Sequence, residues 1–362
     1  MKIAYFLMGD YSKETGVVKK ITSQINCWNK RGIKVKIFHL STNGYSIFAD
    51  MSIEHEISNC ENILFHSGYI YECIQKYNPD LVYMRYALFN AGLCRMLKKQ
   101  IVVAEINSDD VAEYKIQKND SLKRKVKYYY NLFTRKLFLR LLTGAVFVSF
   151  ELEQKMKLKI STIVIENGCG ERCKLRNVVT KNIVPQLLFI GTPEQSWHGM
   201  DKLLKLAKRT KGKLEFHVIG IDYKSEYAEL DNVKFYGWLN REKYQNIFDV
   251  CDVGVGALAL HRKKMMESSS LKTREYLMNG LPIILGGEDT TLKKHNLQPQ
   301  WVLNIGNYEN NVKNTEAAIL DFAKRMSGKR IVDTNLKYFD WEYLEDERLN
   351  YFKTLIEKKK SL

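Results

Sequence analysis

The sequence predicts an α/β protein with two parallel sheets, each covered by helices on both faces. Short apolar segments typical of buried strands alternate with segments of helical periodicity along the chain. The same alternation restarts near residue 187, and 362 residues are enough for two domains of ordinary size. A hydrophobic content of 45% is that of a globular protein, so each predicted domain can bury its own core.

The first forty residues form a β-loop-α-β unit. The apolar segment KIAYFLM is a strand, and apolar side chains then recur at the spacing of one helix face from Val18 to Trp28. Gly32 stops that helix, after which IKVKIFHL alternates as a strand does. Further strands of the first domain are predicted at DLVYMR, IVVAEI and AVFVS, with helical segments between them.

The second domain repeats this order. LLFIG predicts a strand, MDKLLKLAKR a helix and LEFHVIG the next strand, and more strands follow at NVKFYG, DVGVGA and PIILGG. A short polar interruption at residues 178–185 sets the boundary, which gives a first domain of residues 1–180 and a second of residues 181–335. Residues 336–362 predict a long helix that packs back toward the first domain.

The net charge of the chain indicates which kinds of partner it can bind, and its cysteines indicate the compartment in which it acts. With 57 Lys+Arg against 41 Asp+Glu, the formal net charge of +16 favours anionic partners: nucleotides, nucleic acid or an acidic membrane surface. The seven cysteines lack metal-ligand spacing, which indicates a reducing, cytoplasmic setting. Neither a signal-peptide core nor an apolar run of about 18 residues is visible, so we expect no signal-directed secretion and no spanning helix.

The segment ESSSLKTREYLMNGLPIIL, residues 267–285, concentrates the chemistry. Capping serines and an Asn-Gly stop predict a helix over 271–278, whose free N–H groups at Ser268 to Leu271 form an anion site. Lys272 in the first turn opposes the helix dipole unless an anion such as a diphosphate is nearby. Glu275 lies on a partly apolar stripe, where ribose hydroxyls would satisfy its carboxylate.

These residues carry a resemblance to a known family. Glu267 and Glu275, with seven residues between them and G-L-P-I-I after them, resemble the E-x7-E motif of the retaining GT-B glycosyltransferases of family 4. The segments FIGTPEQSWHGMDKLLKL, NVKFYGWLNREKYQNIFDVCDVGV and IVIENG are similar to other motifs of that family. The resemblance implies a GT-B fold, in which two doubly wound Rossmann-like domains face a central cleft.

The resemblance also implies roles for individual residues. Glu275 would hold the nucleotide ribose, Glu267 would contact hydroxyls of the donor sugar, and Lys272 would neutralise the leaving diphosphate. The family commonly has Arg and Lys where this chain has Thr192 and His198, which leaves the phosphate charge to Lys272 with help from Arg262, Lys263 or His198. Glu267 and Lys272 are thus the catalytic candidates; the donor-binding candidates are Gly16, His198, Gly237, Trp238, Arg262, Ser268, Ser269, Ser270, Leu271 and Glu275.

The acceptor side is predicted from strand ends in the first domain. Glu105 and Asn107 follow one buried strand and Arg85 ends another, and α/β sites lie at the carboxyl ends of strands. For Glu105 and Asn107, a turn with a helix cap is an equal alternative. The resemblance implies retention of configuration, no essential metal and no cofactor other than a UDP- or GDP-linked sugar as co-substrate.

Residues 121–142 contain seven Lys or Arg and no acidic residue, interleaved with Tyr, Phe and Leu. An amphipathic helix on an anionic membrane has this pattern, and so does a solvated basic helix that packs on its own sheet. We therefore expect a cytoplasmic or peripheral membrane glycosyltransferase of cell-surface polysaccharide synthesis, such as capsule or lipopolysaccharide, with a glycan or lipid-linked acceptor and no nucleic-acid partner. The alternatives are a GT-B-fold nucleotide-sugar epimerase and a catalytically inactive or nucleic-acid-binding relative.

Overall fold

The computed structural model of the protein describes residues 1–51, 53–59, 68–170, 181–239 and 241–361. The chain divides into two compact units, which we call unit 1 (Met1–Glu166 with Trp341–Leu362) and unit 2 (Asn167–Asp340). Unit 1 contains a seven-stranded sheet and unit 2 a six-stranded sheet, and the paired strands of both are parallel. The predicted α/β class with two parallel sheets is confirmed.

The sheet of unit 1 has the order β3-β2-β1-β4-β5-β6-β7. Its central strands are almost completely buried on both faces, as is usual for a parallel sheet. The strands are β1 (Lys2–Gly9), β2 (Lys34–Ser41), β3 (His55–Asn59), β4 (Leu81–Arg85), β5 (Val102–Ile106), β6 (Gly144–Phe147) and β7 (Ser161–Val164).

The helices of unit 1 begin with the one predicted after the first strand. Thr15 caps it, since its side chain accepts a hydrogen bond from the Val18 N–H over 3.3 Å. The helices are α1 (Gly16–Lys30), α2 (Gly68–Tyr77), α3 (Cys94–Lys99), α4 (Asp110–Gln117), α5 (Leu122–Leu141) and α6 (Phe150–Met156), and a last helix that returns from the C-terminus, α13 (Trp341–Lys360).

The helix α13 belongs to the core of unit 1. Its buried Leu344 and Phe352 pack in one cluster with Trp28 of α1, whose ring lies 5.9 Å from that of Phe352. The helix begins at Trp341 rather than at residue 336, because Leu336 and Phe339 are buried in a core cluster of unit 2.

The division between the units also differs from the predicted position. It falls between Glu166 and Asn167, whereas the sequence predicts it at residue 180. Asn167 is fixed within unit 2, because its backbone N–H donates to the Ser269 hydroxyl over 2.8 Å. Residues 178–180 of the predicted interruption lie outside the described residues.

The main sheet of unit 2 has the order β10-β9-β8-β11-β13-β15, and a separate pair joins β12 to β14. The strands are β8 (Gln186–Ile190), β9 (Glu215–Ile219), β10 (Val233–Phe235), β11 (Val253–Val255), β12 (Glu267–Ser268), β13 (Ile283–Leu285), β14 (Glu288–Asp289) and β15 (Val302–Asn304). The helices are α7 (Met200–Arg209), α8 (Arg241–Val250), α9 (Leu271–Met278), α10 (Thr290–Lys294), α11 (Asn311–Asn314) and α12 (Glu316–Met326).

The helix α9 has the bounds that the sequence predicted, Leu271–Met278. Its buried Tyr276 packs directly on Gly254 of β11, where any larger residue would collide with the ring. The Tyr276 hydroxyl accepts a hydrogen bond from the Ile190 N–H (2.8 Å) and donates one to the Val255 carbonyl (3.1 Å). These contacts fix α9 against the two central strands. Among the described residues, no helix is both long and apolar enough to cross a membrane.

Candidate functional site

The strand order of unit 2 defines a switch point between β8 and β11. From β8 the chain moves outward through β9 and β10, and from β11 it moves the other way through β13 and β15. Open α/β sheets bind ligands outside the carboxyl ends of their strands at such a point. Here the loops after β8 and β11 are joined, because the Leu258 N–H donates to the His198 carbonyl over 3.1 Å and the Ala259 N–H to the Trp197 carbonyl over 3.2 Å.

Lys272 is the most unusual charged residue near this switch point. It lies in the first turn of α9, it is only 7% exposed, and its Nζ has no hydrogen-bond partner among the described residues. The ammonium lies 4.1 Å from the centre of the Phe189 ring on β8. Burial lowers the pKa of Lys272 to about 7. A buried cation without a paired anion is costly.

His198 lies in the loop after β8 and interacts electrostatically with Lys272. Its ring is largely buried, and its Nδ1 has no hydrogen-bond partner among the described residues. Burial, with smaller contributions from Lys272 and Lys263, lowers the pKa of His198 to about 2. The imidazole is therefore neutral at physiological pH and can donate a hydrogen bond without adding charge.

The N-terminus of α9 lacks a side-chain cap. Ser270 occupies the N-cap position as predicted, but its side chain makes no capping hydrogen bond. Its carbonyl instead accepts from the Thr273 hydroxyl over 2.6 Å. A pocket next to this end is lined by Ser268, Ser270 and Thr273 together with Gly286 and Gly287. Backbone N–H groups at a helix start favour an anion at this end.

Glu267 is held more tightly than the sequence suggested. It lies on the two-residue strand β12 instead of in a loop, and it is 1% exposed. Its carboxylate accepts a hydrogen bond from the Thr290 hydroxyl over 2.8 Å and pairs with the Lys293 ammonium at 3.3 Å. The pairing of β12 with β14 sets Glu267 opposite Glu288, and the contacts with Thr290 and Lys293 fix the position of its carboxylate.

Glu275 is half-buried on the last turns of α9. Its carboxylate accepts a hydrogen bond from the hydroxyl of Tyr244 on α8. The backbone carbonyl of Glu275 accepts from the side chain of Asn279 over 2.8 Å, and this bond closes the helix. The carboxylate on this partly apolar face is thus oriented by a tyrosine that the sequence analysis did not single out.

Arg274 is a further residue that sequence reasoning missed. It is 1% exposed, and its guanidinium donates to the Asn167 carbonyl over 2.6 Å and to the Asp289 carboxylate over 2.6 Å. It also donates to the hydroxyls of Ser269 and Thr291, both over 2.9 Å. Arg274 thereby fixes the 267–270 segment to β14 and α10. An arginine on a short helix gives no sequence signal of burial, because arginine is mostly exposed in proteins.

Arg262 has partners of its own. The guanidinium pairs with Asp201 at 2.7 Å and with Glu309 at 2.9 Å, and it donates to the Ser196 carbonyl at 2.9 Å. These contacts raise its pKa and assign Arg262 to the loop structure of the ligand-free protein. Lys263 lies nearby with its ammonium 5.0 Å from the centre of the Trp197 ring.

Gly237 and Trp238 lie at the end of β10, two strands from the switch point. Gly237 has a φ of 61°, and its carbonyl accepts a hydrogen bond from the Gly220 N–H over 2.6 Å. Gly220 in turn has no room for a side chain, because a Cβ there would collide with the Gly191 carbonyl at the end of β8. Trp238 is 57% exposed. The loops after β8, β9 and β10 are therefore held together through backbone contacts.

The remaining predicted residues belong to unit 1. Gly16 begins α1, as expected for a helix-start glycine. Glu105 is completely buried and pairs with the Lys20 ammonium at 2.8 Å and with Arg348 at 3.2 Å. Burial alone would raise the pKa of Glu105, but the neighbouring cations outweigh it and hold that pKa well below its usual range. Lys20 also donates to the Asn107 side chain over 2.9 Å.

This ion network gives the Glu105 carboxylate and the Asn107 amide partners inside the protein. Arg85, at the carboxyl end of β4, differs from them, because its Nη1 is buried without a hydrogen-bond partner among the described residues. Within the part of the chain that the structure describes, no three His, Cys, Asp or Glu side chains are grouped so that they could hold a metal ion.

Comparison with known proteins identifies the fold of the chain. The sequence matches no protein-family model, and no curated protein matches it. Solved structures of glycosyltransferases do match over nearly the whole chain. Sucrose-phosphate synthase from Thermosynechococcus elongatus superposes with a TM-score of 0.66 at 14% identity, covering 98% of this chain and 99% of that one.

Two further structures make the same point. WaaG, a glycosyltransferase involved in lipopolysaccharide biosynthesis, has a TM-score of 0.61 at 12% identity, with 99% and 98% of the two chains covered. HepE from Anabaena, in complex with UDP-glucose, has a TM-score of 0.56 at 12% identity, with 99% and 100% covered. At such low identity these likenesses establish the fold, which is the predicted GT-B fold.

Proposed function

We propose that the protein is a glycosyltransferase that moves a sugar from a nucleotide-diphosphate donor to a glycan or lipid-linked acceptor. The observation that carries this proposal is Lys272, a buried ammonium without a hydrogen-bond partner at the switch point of unit 2. The cost of burying this cation is offset when an anionic ligand pairs with it. A nucleotide diphosphate brings that charge, and the uncapped start of α9 offers N–H donors to the same group.

The side chains around Lys272 suit the other parts of such a donor. The neutral His198 imidazole can donate to a phosphate oxygen, and the half-buried Glu275 can accept from ribose hydroxyls. Glu267, fixed by Thr290 and Lys293, offers a carboxylate to hydroxyls of the transferred sugar. Trp238 at the end of β10 is exposed enough to meet a base, and we propose uracil or guanine as that base.

The proposed reaction depends on charge at the leaving group. As the glycosidic bond of the donor breaks, the sugar gains oxocarbenium character and the departing diphosphate gains negative charge. Lys272 and the N–H groups of α9 stabilise that charge more in the transition state than in the ground state. We further propose that the leaving diphosphate takes the acceptor proton, that the anomeric configuration is retained and that no metal is needed.

The acceptor is proposed to be part of a cell-surface polysaccharide, and the site of action the cytoplasm or the inner face of the cytoplasmic membrane. WaaG, which shares the fold, acts in lipopolysaccharide biosynthesis. The five cysteines in the described residues are free, which agrees with a reducing compartment. Arg85, with its unpaired Nη1, is our candidate for an acceptor contact in unit 1.

Thermal unfolding with UDP, GDP, CDP and ADP, each with EDTA or Mg²⁺, tests donor binding. A ligand at about 100 times its Kd stabilises the native state by about 2.7 kcal/mol. We expect a metal-independent rise with one nucleotide. Glu275→Ala should weaken binding of that nucleotide and remove most turnover, whereas Glu229→Ala, at an exposed position of unit 2, serves as the control. A site that ignores all four nucleotides would contradict the proposal.

Product analysis separates transfer from epimerisation. A transferase consumes the sugar nucleotide beyond slow hydrolysis only when an acceptor is present, whereas an epimerase converts the free sugar nucleotide alone. Release of a nucleoside diphosphate that depends on an added glycan extract supports the transferase. Conversion of the sugar without any acceptor would replace it with the epimerase.

A further inference from the structure

The helix α5 presents an apolar ridge to solvent. Five side chains form it, and they are exposed to unusual degrees for their type: Leu122 (78%), Val126 (61%), Tyr129 (43%), Phe133 (82%) and Leu137 (51%). Successive residues of an α-helix are about 100° apart, so these five fall within an arc of about 80° on one face. The ridge runs along about 22 Å of the helix. Isolated exposed apolar residues need no explanation, but a continuous ridge does.

The opposite face of α5 fixes the direction in which this ridge points. Phe138 is fully buried, and its ring stacks 5.5 Å from that of Tyr86. The buried Asn131 donates to Asp110 of α4 over 2.6 Å, and Arg135 pairs with the same carboxylate at 3.1 Å. The exposure of the ridge is therefore set by the packing of α5 on unit 1.

Basic residues surround the ridge. The exposed ones beside the ridge are Lys123, Lys125, Lys136 and Arg140. Residues 121–142 contain no Asp or Glu, so no carboxylate of this segment neutralises the face. An apolar ridge with a cationic rim matches the two chemistries of an anionic lipid surface: acyl chains accept the apolar side chains, and headgroup phosphates accept the cations.

We propose that this face of α5 seats the protein on an anionic lipid bilayer, with Phe133 inserted at the level of the acyl chains. The helix would lie parallel to the membrane surface, its ridge toward the lipid and its Asn131 and Phe138 face toward unit 1. This interaction surface uses none of the residues of the nucleotide site, and it adds a location to the proposed function because lipid-linked acceptors are confined to membranes.

Two other occupants fit parts of this surface less well. A second copy of the chain would bring the same basic rim against itself, which is repulsive, since like charges directly opposed across an interface are unfavourable. Nucleic acid would use the cations but leave the apolar ridge, including the 82%-exposed Phe133, in water. Lipid accounts for both parts of the surface.

Vesicle flotation with the full-length protein tests the proposal. We compare vesicles of phosphatidylcholine alone with vesicles that contain about one-third phosphatidylglycerol. Binding to the anionic vesicles is expected to be at least about tenfold tighter, and to fall in about 0.5 M salt, where screening shortens the reach of charge to a few ångströms.

Single substitutions then locate the contact. Phe133→Ser should weaken binding to anionic vesicles about tenfold, since it removes the largest apolar side chain of the ridge. Val332→Ser is the matched control, because Val332 is equally exposed, at 84%, but lies in unit 2. Phe133→Trp, with brominated lipid as quencher, should show quenching that Val332→Trp does not.

Each result of these experiments supports or excludes one occupant of the ridge. Equal loss in Phe133→Ser and Val332→Ser, or binding that ignores lipid charge, would overturn the proposal. Sedimentation as a dimer without vesicles, abolished by Phe133→Ser, would assign the ridge to a second copy instead. Salt-sensitive binding to RNA that survives Phe133→Ser would assign the basic rim to nucleic acid. The nucleotide-induced thermal shift is measured on the same variants, so failure of vesicle binding and failure of the donor site are distinguishable.

Discussion

Replacing Lys272 with methionine should stabilise the ligand-free protein and at the same time remove its response to nucleotide. Burial holds the pKa of Lys272 at about 7, far below its usual value of 10.5. That difference corresponds to about 5 kcal/mol against the charged side chain, at about 1.4 kcal/mol per pH unit. The contact of its ammonium with the Phe189 ring stabilises the charged form by about 2 kcal/mol. Methionine keeps much of the volume without the charge, so the variant should gain up to about 3 kcal/mol.

The gain should depend on pH in a definite direction. Because the folded pKa lies below the unfolded one, the unfolded chain binds more protons than the native state between about pH 7 and pH 10.5. The cost of Lys272 is thus complete below pH 7 and disappears as the pH rises through that window. Thermal unfolding at pH 6 and pH 9 should show a Tm rise of up to roughly 6–12 °C at the lower pH and less at the higher.

Nucleotide binding should depend on pH in the direction opposite to the stability of the wild-type protein. A bound diphosphate favours the charged ammonium, so wild-type protein should take up a proton on binding near neutral pH and bind less tightly as the pH rises toward 9. Calorimetry in buffers of different ionisation enthalpy measures that proton. Lys205→Met, at an exposed position on α7, is the control and should leave both properties unchanged. A Lys272→Met protein that is less stable at pH 6, or still responds to nucleotide, would refute the reasoning.

Substitutions at three further positions test the packing within the two units. Arg274→Met should cost about 3–5 kcal/mol, because it leaves the buried Asp289 carboxylate unpaired, and Arg274→Lys should recover only part of it in thermal unfolding. Glu105→Gln should destabilise unit 1 by a similar amount above pH 5, and the difference should disappear in acid, where the wild-type carboxylate is also protonated. Hydrogen exchange can show that the loss of protection is confined to unit 1. Gly220→Ala should lower stability by more than about 1 kcal/mol, since its positive φ and the Gly191 carbonyl exclude a methyl group; an unchanged denaturation midpoint would contradict this.

The fold was predictable because its signals are local. Most strands are apolar runs short enough to stand out between polar loops, whereas β3, β7 and β15 were not predicted. The predicted helix over 271–278 agrees with α9, and the Asn-Gly stop acts within one turn. The position of Lys272 in the first turn followed from the same bounds. Its conflict with the helix dipole was readable, but its burial and lack of a partner were not.

The contacts of the site residues could not be predicted, because they join segments that are far apart in the sequence. A sequence does not report which charges meet after folding, so the pairing of Arg262 with Asp201 and Glu309 was not predicted. The buried role of Arg274 gave no signal, because its partners at Asn167 and Asp289 come from distant segments. The unit boundary was misplaced for a related reason: composition marks polar segments, whereas contacts decide which unit a segment joins.

The sequence by itself therefore determined the α/β class, the repeated unit and the motif of Glu267 and Glu275, since these depend on periodicity and spacing along the chain. The tertiary structure alone decided which charges are solvated, paired or isolated. It buries Lys272 without a partner, closes Glu105 into an ion network and leaves Phe133 in solvent. Burial and Coulomb energy depend on distances in space between residues far apart in sequence, and packing sets those distances.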